Sequence, residues 1–411
     1  MSEPPMVVPA TSGESRPAPE AEPPGPLLVD GIGESPILSL IDRIFELRRR
    51  GEKVLGLHIG EPDFETPAGI RDAAYRAMNE GFTHYVSAQG LPELRSAVAE
   101  RLTSRHRIPA TAGDVVVLPA KFAIYASLLA TVAAGDEVLL PDPTYLFEQP
   151  VRLVGARPVY FPLGREFSFD PAKLVDALSP RSRVLILVSP ANPTGRLLRR
   201  AEVRAAIEIA RDHGLTIVSD ETYESLIYEG THVAPASLAE GGPPVITIGS
   251  FSKTYAMTGW RAGFAVAPPE IRQRLVKIME HTLTCLPPFI QKACLWALQN
   301  AGAEESRFRE LFRERRDELL GRLDDLPGIS YTRPEGAFYV FPKYGLRWSS
   351  VEFANRLLEE ERLALVPGIA FGPGGERHVR ISYSTPVEYL DEGMTRLGRF
   401  LERHGAQRGE G

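Results

Sequence analysis

The middle of the chain alternates short apolar runs with longer amphipathic stretches. Seven runs are predicted to be strands, at positions 115–118, 137–140, 158–161, 184–188, 215–219, 245–248 and 263–266. The run 184–188 is apolar at every position, which is typical of a strand covered on both faces of a parallel sheet. Between the fourth and fifth runs, Val203, Ile207 and Ala210 lie at helical spacing, and Gly214 ends the predicted helix. This alternation predicts an α/β fold with a mostly parallel seven-stranded sheet between helices, in a large domain over 66–301.

A different pattern flanks this region. Helices are predicted over 304–326 and 350–361 and from Pro386 onward, and short strands at 329–331, 337–341, 364–366 and 378–382. Upstream, Leu40, Ile44 and Leu47 share one face of a helix that Gly51 ends. We therefore predict a smaller α+β domain formed by 27–65 with 302–411. Residues 1–26 contain eight prolines and no aromatic residue, and are predicted to be a disordered tail.

Composition narrows the class of protein. The 411 residues carry a formal net charge of −6, so the long-range field has the wrong sign for a general affinity for nucleic acid or anionic membranes. Two cysteines in a chain of this length form no disulfide framework and no zinc spacing, and no metal site is predicted. The sequence contains neither a signal-peptide pattern nor an apolar run long enough to span a membrane. A cytoplasmic enzyme is the expectation.

Polar side chains follow three of the predicted strands. Asn192 lies in the loop after 184–188, and Asp220 and Tyr223 follow 215–219. The loop after 245–248 supplies two hydroxyls, an amine and a guanidinium, from Ser250, Ser252, Lys253 and Arg261. Each residue alone has an ordinary interpretation as a turn, a cap or a solvated charge. Carboxyl ends of parallel strands meet at one edge of a sheet, so together these groups indicate a site.

This set of groups matches the needs of pyridoxal phosphate (PLP). PLP requires a lysine amine that forms an imine with it and a carboxylate beside its ring nitrogen. Its phosphate needs hydroxyl, cationic and backbone N–H donors, and the start of a helix is suited to this. Ala120 and Lys121 open the apolar run after the strand 115–118, so their backbone N–H groups could complete the phosphate site.

Ordered motifs from about residue 35 to the C-terminus resemble those of the class I, fold type I aminotransferases, the aspartate aminotransferase family. In the predicted large domain they are Gly135-Asp136-Glu137-Val138, Asn192-Pro193-Thr194-Gly195, Asp220-Glu221-Thr222-Tyr223, Ser250-Phe251-Ser252-Lys253-Thr254 and Thr258-Gly259-Trp260-Arg261. In the flanking regions they are Gly60-Glu61-Pro62-Asp63-Phe64, Gly336-Ala337-Phe338-Tyr339, Val366-Pro367-Gly368 and Val379-Arg380-Ile381-Ser382. The resemblance implies an aminotransferase that moves an amino group between an amino acid and a 2-oxo acid by a ping-pong mechanism.

The resemblance also implies roles for single residues. Lys253 would be the Schiff-base lysine and the proton shuttle, and Asp220 would pair with the ring nitrogen of PLP. Asn192 and Tyr223 would contact the ring oxygen, Tyr145 would stack on the ring, and Ser250, Ser252 and Arg261 would hold the phosphate. Arg380 would bind the substrate α-carboxylate, with Gly60 and Asn192 lining the same subsite. Tyr85 would reach the phosphate of a neighbouring subunit, which implies a homodimer.

Several alternatives stay open at this point. A C–S β-lyase, a decarboxylase or an amino-acid oxidase would keep the same PLP-binding residues. A non-enzymatic PLP-binding regulator of transcription would need a DNA-binding helix-turn-helix, which the proline-rich first 26 residues cannot form. Pro119 departs from the glycine or serine common in the family and has no N–H to offer a phosphate. Substrate specificity could reside in 32–38, in Phe122 and Tyr125, or in 285–288.

Overall fold

The structure is a computed structural model that describes residues 27–33 and 36–405. The predicted tail 1–26 lies outside the described residues. The α-helices are α1 Pro36–Arg49, α2 Ala68–Asn79, α3 Pro92–His106, α4 Ala120–Thr131, α5 Glu148–Leu153, α6 Pro171–Asp176, α7 Arg200–Asp212, α8 Phe251–Thr254, α9 Pro269–His281, α10 Pro288–Asn300, α11 Gly302–Asp324, α12 Ser350–Glu361 and α13 Val387–Gly405.

The strands are β1 Leu55–Gly56, β2 Val115–Val117, β3 Glu137–Asp142, β4 Arg157–Pro162, β5 Ser182–Val188, β6 Thr216–Asp220, β7 Val245–Ser250, β8 Gly263–Val266, β9 Ile329–Ser330, β10 Tyr339–Val340, β11 Lys343–Tyr344, β12 Leu363–Ala364, β13 Val366–Pro367 and β14 Val379–Ser382. All seven strands predicted for the large sheet are present.

These seven strands form one sheet in the order β2-β8-β7-β6-β5-β3-β4. The pairs from β7 to β4 are parallel, whereas β8 runs antiparallel to both of its neighbours. The predicted mostly parallel seven-stranded sheet is confirmed. Because β5, β6 and β7 are adjacent and parallel, their carboxyl ends meet at one edge.

Helices cover both faces of this sheet. Along β5, Ile186 packs in a cluster that includes residues of α4, α5 and α9, whereas Leu185 points to the opposite face and packs with α6 and α7. Both residues are fully buried. This two-sided burial explains why the run 184–188 has no polar alternation.

The two ends of the chain join in a second layer of structure. β1 pairs in parallel with β12 through Leu55↔Leu363, and the buried face of α1 packs against Leu358 and Ala364. A three-stranded antiparallel sheet, β10-β14-β13, lies under α11, α12 and α13 in a shared core. These contacts agree with a unit built from both flanks, while the boundaries 27–65 with 302–411 stay a prediction.

Two predicted strands of this region are shorter than expected. The run 337–341 is a strand only at β10, because Ala337 has a φ of 58° and lies outside the extended region. The run 364–366 is divided between β12 and β13, which pair with β1 and β14 respectively. The chain changes partner at Leu365, and a local sequence pattern does not record such a change.

Among the described residues, no helix is long and apolar enough to cross a membrane. In the same part of the chain, no group of three or more His, Cys, Asp or Glu could hold a metal ion. Cys285 and Cys294 are both free.

We expect Leu185→Ala to lower the free energy of unfolding by about 2–5 kcal/mol, because it leaves a cavity in the centre of the sheet. Leu153→Ala is a matched control, since Leu153 is 38% exposed at the end of α5 and its loss should cost less than about 1 kcal/mol. Equilibrium denaturation of both variants measures the difference. Equal losses would contradict the sheet position assigned to Leu185.

Candidate active site

Three adjacent strand ends place the polar residues of the site. Asn192 lies in the loop after β5, Asp220 is the last residue of β6, and Ser250 is the last residue of β7. Lys253 lies in α8, whose first turn is capped by Ser250, where Oγ accepts the Ser252 N–H at 3.2 Å. The order of the strands in the sheet therefore brings together loops that are far apart in sequence.

These residues line a cavity of about 340 Å³. With the single exception of Tyr85, all the predicted site residues line it: Gly60, Ala120, Lys121, Tyr145, Asn192, Asp220, Tyr223, Ser250, Ser252, Lys253, Arg261 and Arg380. Tyr85 lies on the surface and is 86% exposed. The sequence thus predicted a set of residues that the fold does bring together.

The Lys253 side chain reaches across the cavity to the segment before α2. Its Nζ donates a hydrogen bond to the Gly60 carbonyl oxygen at 2.6 Å. Burial lowers the pKa of Lys253 to about 8; Arg380 and Arg261 act in the same direction, whereas Glu61 opposes them. About a tenth of this amine is therefore neutral, and nucleophilic, at pH 7, far more than for an ordinary lysine.

Asp220 is a buried carboxylate, only 7% exposed. Burial raises its pKa, while hydrogen bonds from Thr222 act in the opposite direction, including the Thr222 N–H donated to Oδ1 at 3.0 Å. Among the described residues, Asp220 thus accepts a hydrogen bond from a backbone N–H group but forms no ion pair with a cation. Such a group is stabilised by a positively charged ligand placed beside it.

The Tyr223 hydroxyl lies 2.8 Å from the hydroxyl of Tyr339, on β10. Burial raises the pKa of Tyr223 well above its ordinary value, so its phenol stays protonated and able to donate. Tyr339 was not predicted to be a site residue, although it is the last residue of the motif Gly336-Ala337-Phe338-Tyr339. In the sequence around Tyr339 and Val340, nothing distinguishes a tyrosine that faces a site from one that packs in the core.

Arg380 is almost fully buried, at 5% exposure, on β14. Its guanidinium donates to Asn192 Oδ1 at 3.1 Å and to the His58 carbonyl oxygen at 2.7 Å. Its Cζ lies 4.3 Å from the centre of the Tyr339 ring, which the planar cation can stack on. Within the described chain Arg380 has no carboxylate partner and its Nε has no hydrogen-bond partner. A buried cation in this state is suited to bind an anion that enters the cavity.

One wall of the cavity is suited to a phosphate. α4 begins at Ala120, so the N–H groups of Ala120 and Lys121 have no acceptor within the helix. Gly263 lies close behind them: a Cβ on Gly263 would lie 2.9 Å from the Ala120 nitrogen. Pro119 is the N-cap of α4 and precedes these donors. Pro119 departs from the family pattern, but the free N–H groups of Ala120 and Lys121 remain available to a phosphate.

The remaining wall is apolar and was only partly anticipated. It is formed by Ile37, Ile41, Ile59, Ile124, Leu146 and Val188, together with the polar residues His58 and Thr222. Ile37 lies within the segment 32–38 predicted to affect specificity. Phe122 and Tyr125 pack against each other with ring centres 6.1 Å apart and do not line the cavity, nor does 285–288. Burial lowers the pKa of His58 to about 4, so this ring is neutral at physiological pH.

Comparison with known proteins agrees with this geometry. A family model described as aminotransferase class I and II matches residues 52–397. An aspartate aminotransferase of Pyrococcus horikoshii is 38% identical over 372 residues, covering 89% of this chain and 95% of the relative. An aromatic-amino-acid aminotransferase of Thermococcus litoralis is 36% identical over 375 residues, covering 89% and 96%.

Among solved structures, a double mutant of the aspartate aminotransferase of Thermus thermophilus has a TM-score of 0.87 and 34% identity, covering 90% of this chain and 98% of that one. These relatives are similar over nearly their whole length, and the residues lining the cavity are suited to the cofactor of the family. The chain therefore belongs to the aminotransferase class I and II family and is a PLP-dependent aminotransferase.

Proposed function

We propose that Lys253 binds PLP covalently and that the cavity around it carries out transamination between an amino acid and a 2-oxo acid. The observation that carries the proposal is the placement of the Lys253 amine, the Asp220 carboxylate and the Arg380 guanidinium on one cavity of about 340 Å³. When bound, PLP supplies an electron sink that stabilises negative charge at the substrate Cα.

The groups lining the cavity fit PLP one by one. Asp220, which lacks a cationic partner, would pair with the ring nitrogen, and its carboxylate must stay ionised to do so. Tyr223 and Asn192 would donate to the ring oxygen, and Tyr145 offers an aromatic face in the same wall. The phosphate would bind the free N–H groups of Ala120 and Lys121, with Ser250, Ser252 and Arg261 as further donors.

Lys253 can also move a proton. Since its pKa is about 8, Nζ can accept a proton from the substrate Cα and return it without a large penalty in either direction. The Gly60 carbonyl oxygen, at 2.6 Å, holds the amine at one side of the cavity while it is protonated. The neutral His58 ring adds no competing charge in this wall.

Arg380 would bind the α-carboxylate that amino acids and 2-oxo acids share. Asn192 and the His58 carbonyl oxygen fix the orientation of its fork, which leaves the remaining donors to form a bidentate pair with a carboxylate. One arginine can thereby serve both half-reactions, because both substrates carry the same group at this position.

Lys121 supports a preference for substrates with a second carboxylate. Among the described residues that line the cavity, the cations are Lys121, Lys253, Arg261 and Arg380. Lys253 would bind PLP, Arg261 its phosphate and Arg380 the α-carboxylate, which leaves the ammonium group of Lys121 for another anion. The named activities of similar proteins include aspartate, aromatic-amino-acid and alanine aminotransferases. Lys121 is exposed in the first turn of α4 and lines the cavity, and we expect its positive charge to favour the aspartate-like class.

A homodimer in which Tyr85 reaches the phosphate site of the partner is part of the same proposal. The support is the 86% exposure of Tyr85 together with a surface groove in which Phe64, Trp260 and Phe289 lie among charged residues such as Glu61 and Arg71. Aromatic residues at such a surface are typical of interface residues. A cytoplasmic location remains a prediction from the sequence.

Covalent attachment of PLP to the apoenzyme should become faster as the pH rises through about 8, because the neutral amine of Lys253 is the nucleophile. After borohydride reduction, peptide mass spectrometry should find the cofactor on Lys253. Lys253→Ala should retain the fold, lose the covalent label, and release no 2-oxo acid from an amino acid. Lys292→Ala, which removes a lysine paired with Glu93 outside the cavity, is the control. A label on another lysine would contradict the proposal, and oxygen uptake or carbon dioxide release by wild type would favour the oxidase or decarboxylase.

Two variants should separate the carboxylate sites. Arg380→Lys should raise KM for every amino donor by roughly 10–100-fold, since a bidentate pair becomes a single contact. Lys121→Ala should raise KM about tenfold for aspartate and glutamate and leave alanine and phenylalanine within about twofold. Steady-state kinetics over this panel measures both, with Lys173→Ala on α6 as the surface control. Equal losses for all donors in Lys121→Ala would reject the proposed preference.

Mixed dimers should reveal whether Tyr85 acts on the partner's site. Tyr85→Phe should weaken PLP binding, and Lys253→Ala should abolish activity. Co-expressed with different tags, the two variants would form a dimer in which the intact Lys253 faces an intact Tyr85 from the other chain. This dimer should regain about half the activity of wild type, with the PLP affinity of wild type. A hybrid that behaves as Tyr85→Phe would place the tyrosine in its own chain's site.

A further inference from the structure

A buried polar cluster lies directly behind Asp220. The next residue, Glu221, turns its carboxylate away from the cavity and into the protein. One of its oxygens accepts the Ser219 hydroxyl at 2.8 Å, and the other lies 2.8 Å from His232 Nε2. The Glu221 and His232 side chains are only 2% and 3% exposed. Two ionisable groups are thus held out of water next to the carboxylate proposed to bind the cofactor.

A second histidine–glutamate pair adjoins the first. His106, at the end of α3, contacts His232 edge-on with ring centres 5.1 Å apart, and its Nε2 lies 2.9 Å from Glu224. Arg101 joins Glu224 to Glu305 of α11, at 2.9 and 3.2 Å. The cluster therefore connects the segment after β6 with α3 and α11.

The cluster also reaches the residue beside Lys253. The Thr254 hydroxyl donates to Ser225 Oγ at 3.2 Å, and the Ser225 hydroxyl donates to Glu224 at 2.8 Å. Asp220 is followed in sequence by Glu221, and Lys253 by Thr254, and both of these following residues belong to the cluster. The cluster is therefore linked by hydrogen bonds and by the backbone to residues on two sides of the cavity.

The balance of charge points to His232. Arg101 contacts both Glu224 and Glu305, Arg105 contacts Glu305, and His106 lies 2.9 Å from Glu224. Neither arginine forms an ion pair with Glu221 among the described residues. In the described chain its cationic partner is His232.

The groups that face His232 act together on its charge. They are Glu221 and Glu224 from the segment after β6 and the His106 ring from α3. Burial opposes protonation, but the carboxylates outweigh it and raise the pKa of His232. Burial raises the pKa of Asp220, and the charge of Glu221 raises it further. A positive charge on His232, 2.8 Å from the Glu221 carboxylate, opposes this contribution of Glu221.

We propose that His232 is a positioning residue for the cofactor site: its imidazolium offsets the charge of Glu221, so that Asp220 beside it stays ionised and able to pair with the cofactor ring. The inference rests on the proposed role of Asp220. On this proposal the Glu221–His232 pair has an electrostatic role as well as a structural one. Substituting Glu221 or His232 has different effects under the two roles.

A double-mutant cycle on the apoenzyme separates them, with PLP affinity measured by fluorescence titration between pH 5.5 and 9. His232→Gln leaves the Glu221 charge unpaired. The ring nitrogen of PLP pairs only with the ionised form of Asp220. This form is present above the pKa of Asp220 and is lost as the pH falls through that pKa. The fall in affinity at low pH should therefore move up by about one pH unit, with about tenfold weaker binding within that range.

Glu221→Gln removes the negative charge and should bind PLP as wild type does or keep its affinity to lower pH. The Glu221→Gln, His232→Gln double variant should resemble Glu221→Gln, because removing the charge restores what loss of the imidazolium took away. An ion pair that served only stability would show no such rescue, and additive losses in the double variant would overturn the proposal.

Three controls keep the result interpretable. His404→Gln removes a histidine at the same 2.8 Å distance from a glutamate, Glu360, at the end of α13, and should leave PLP affinity unchanged. If His232→Gln does not fold, histidine NMR of the wild-type protein decides: an imidazole that is neutral at pH 7 rejects the proposal. Asp220→Asn separates the two levels. If it leaves PLP affinity intact, the proposed function fails; if it weakens affinity while the His232 variants do not, this inference alone fails.

Discussion

The Asp220 carboxylate, buried at the end of an apolar strand, is the constraint on which the rest of the site depends. Burial alone favours its protonated form, and the described chain offers it backbone and hydroxyl donors rather than a cation. The neighbouring groups lie where they can stabilise the ionised form of Asp220. Lys253 and the cofactor it is proposed to hold face it from the cavity, and the Glu221–His232 pair stands behind it.

Much of the fold could be predicted from the sequence because its signals are local. The seven strands of the sheet are short apolar runs, and each was recognisable without knowledge of its neighbours. A helix was predicted near 350–361, and the structure has it over Ser350–Glu361, where the Ser349 side chain caps its first turn. The predicted fold class and family were confirmed. The roles of the single site residues remain proposals, although twelve of the thirteen line one cavity.

What the sequence could not supply was the pairing of distant groups. Tyr339 contacts the Tyr223 hydroxyl, and the His58 carbonyl oxygen accepts a hydrogen bond from Arg380. In both cases the two residues lie on different elements that no local sequence pattern connects. The same holds for the change of strand partner at Leu365 and for the contact between His106 and His232. Each depends on how separately predictable elements pack, and a histidine in a polar segment looks the same in sequence whether it is solvated or buried.

The pairing of β1 with β12 has a consequence for how the protein is made. Leu55 can pair with Leu363 only after the ribosome has added the large sheet that lies between them in sequence, so this sheet can fold before the N-terminal flank is paired. Gly60 and His58 lie immediately after β1, and both contribute to the cavity. A nascent chain can thus display the β5, β6 and β7 loops but lacks one wall around them. The wall formed by Gly60 and His58 can be held by this pairing only after Leu363 has been synthesised, which ties capture of the cofactor to a late stage of synthesis.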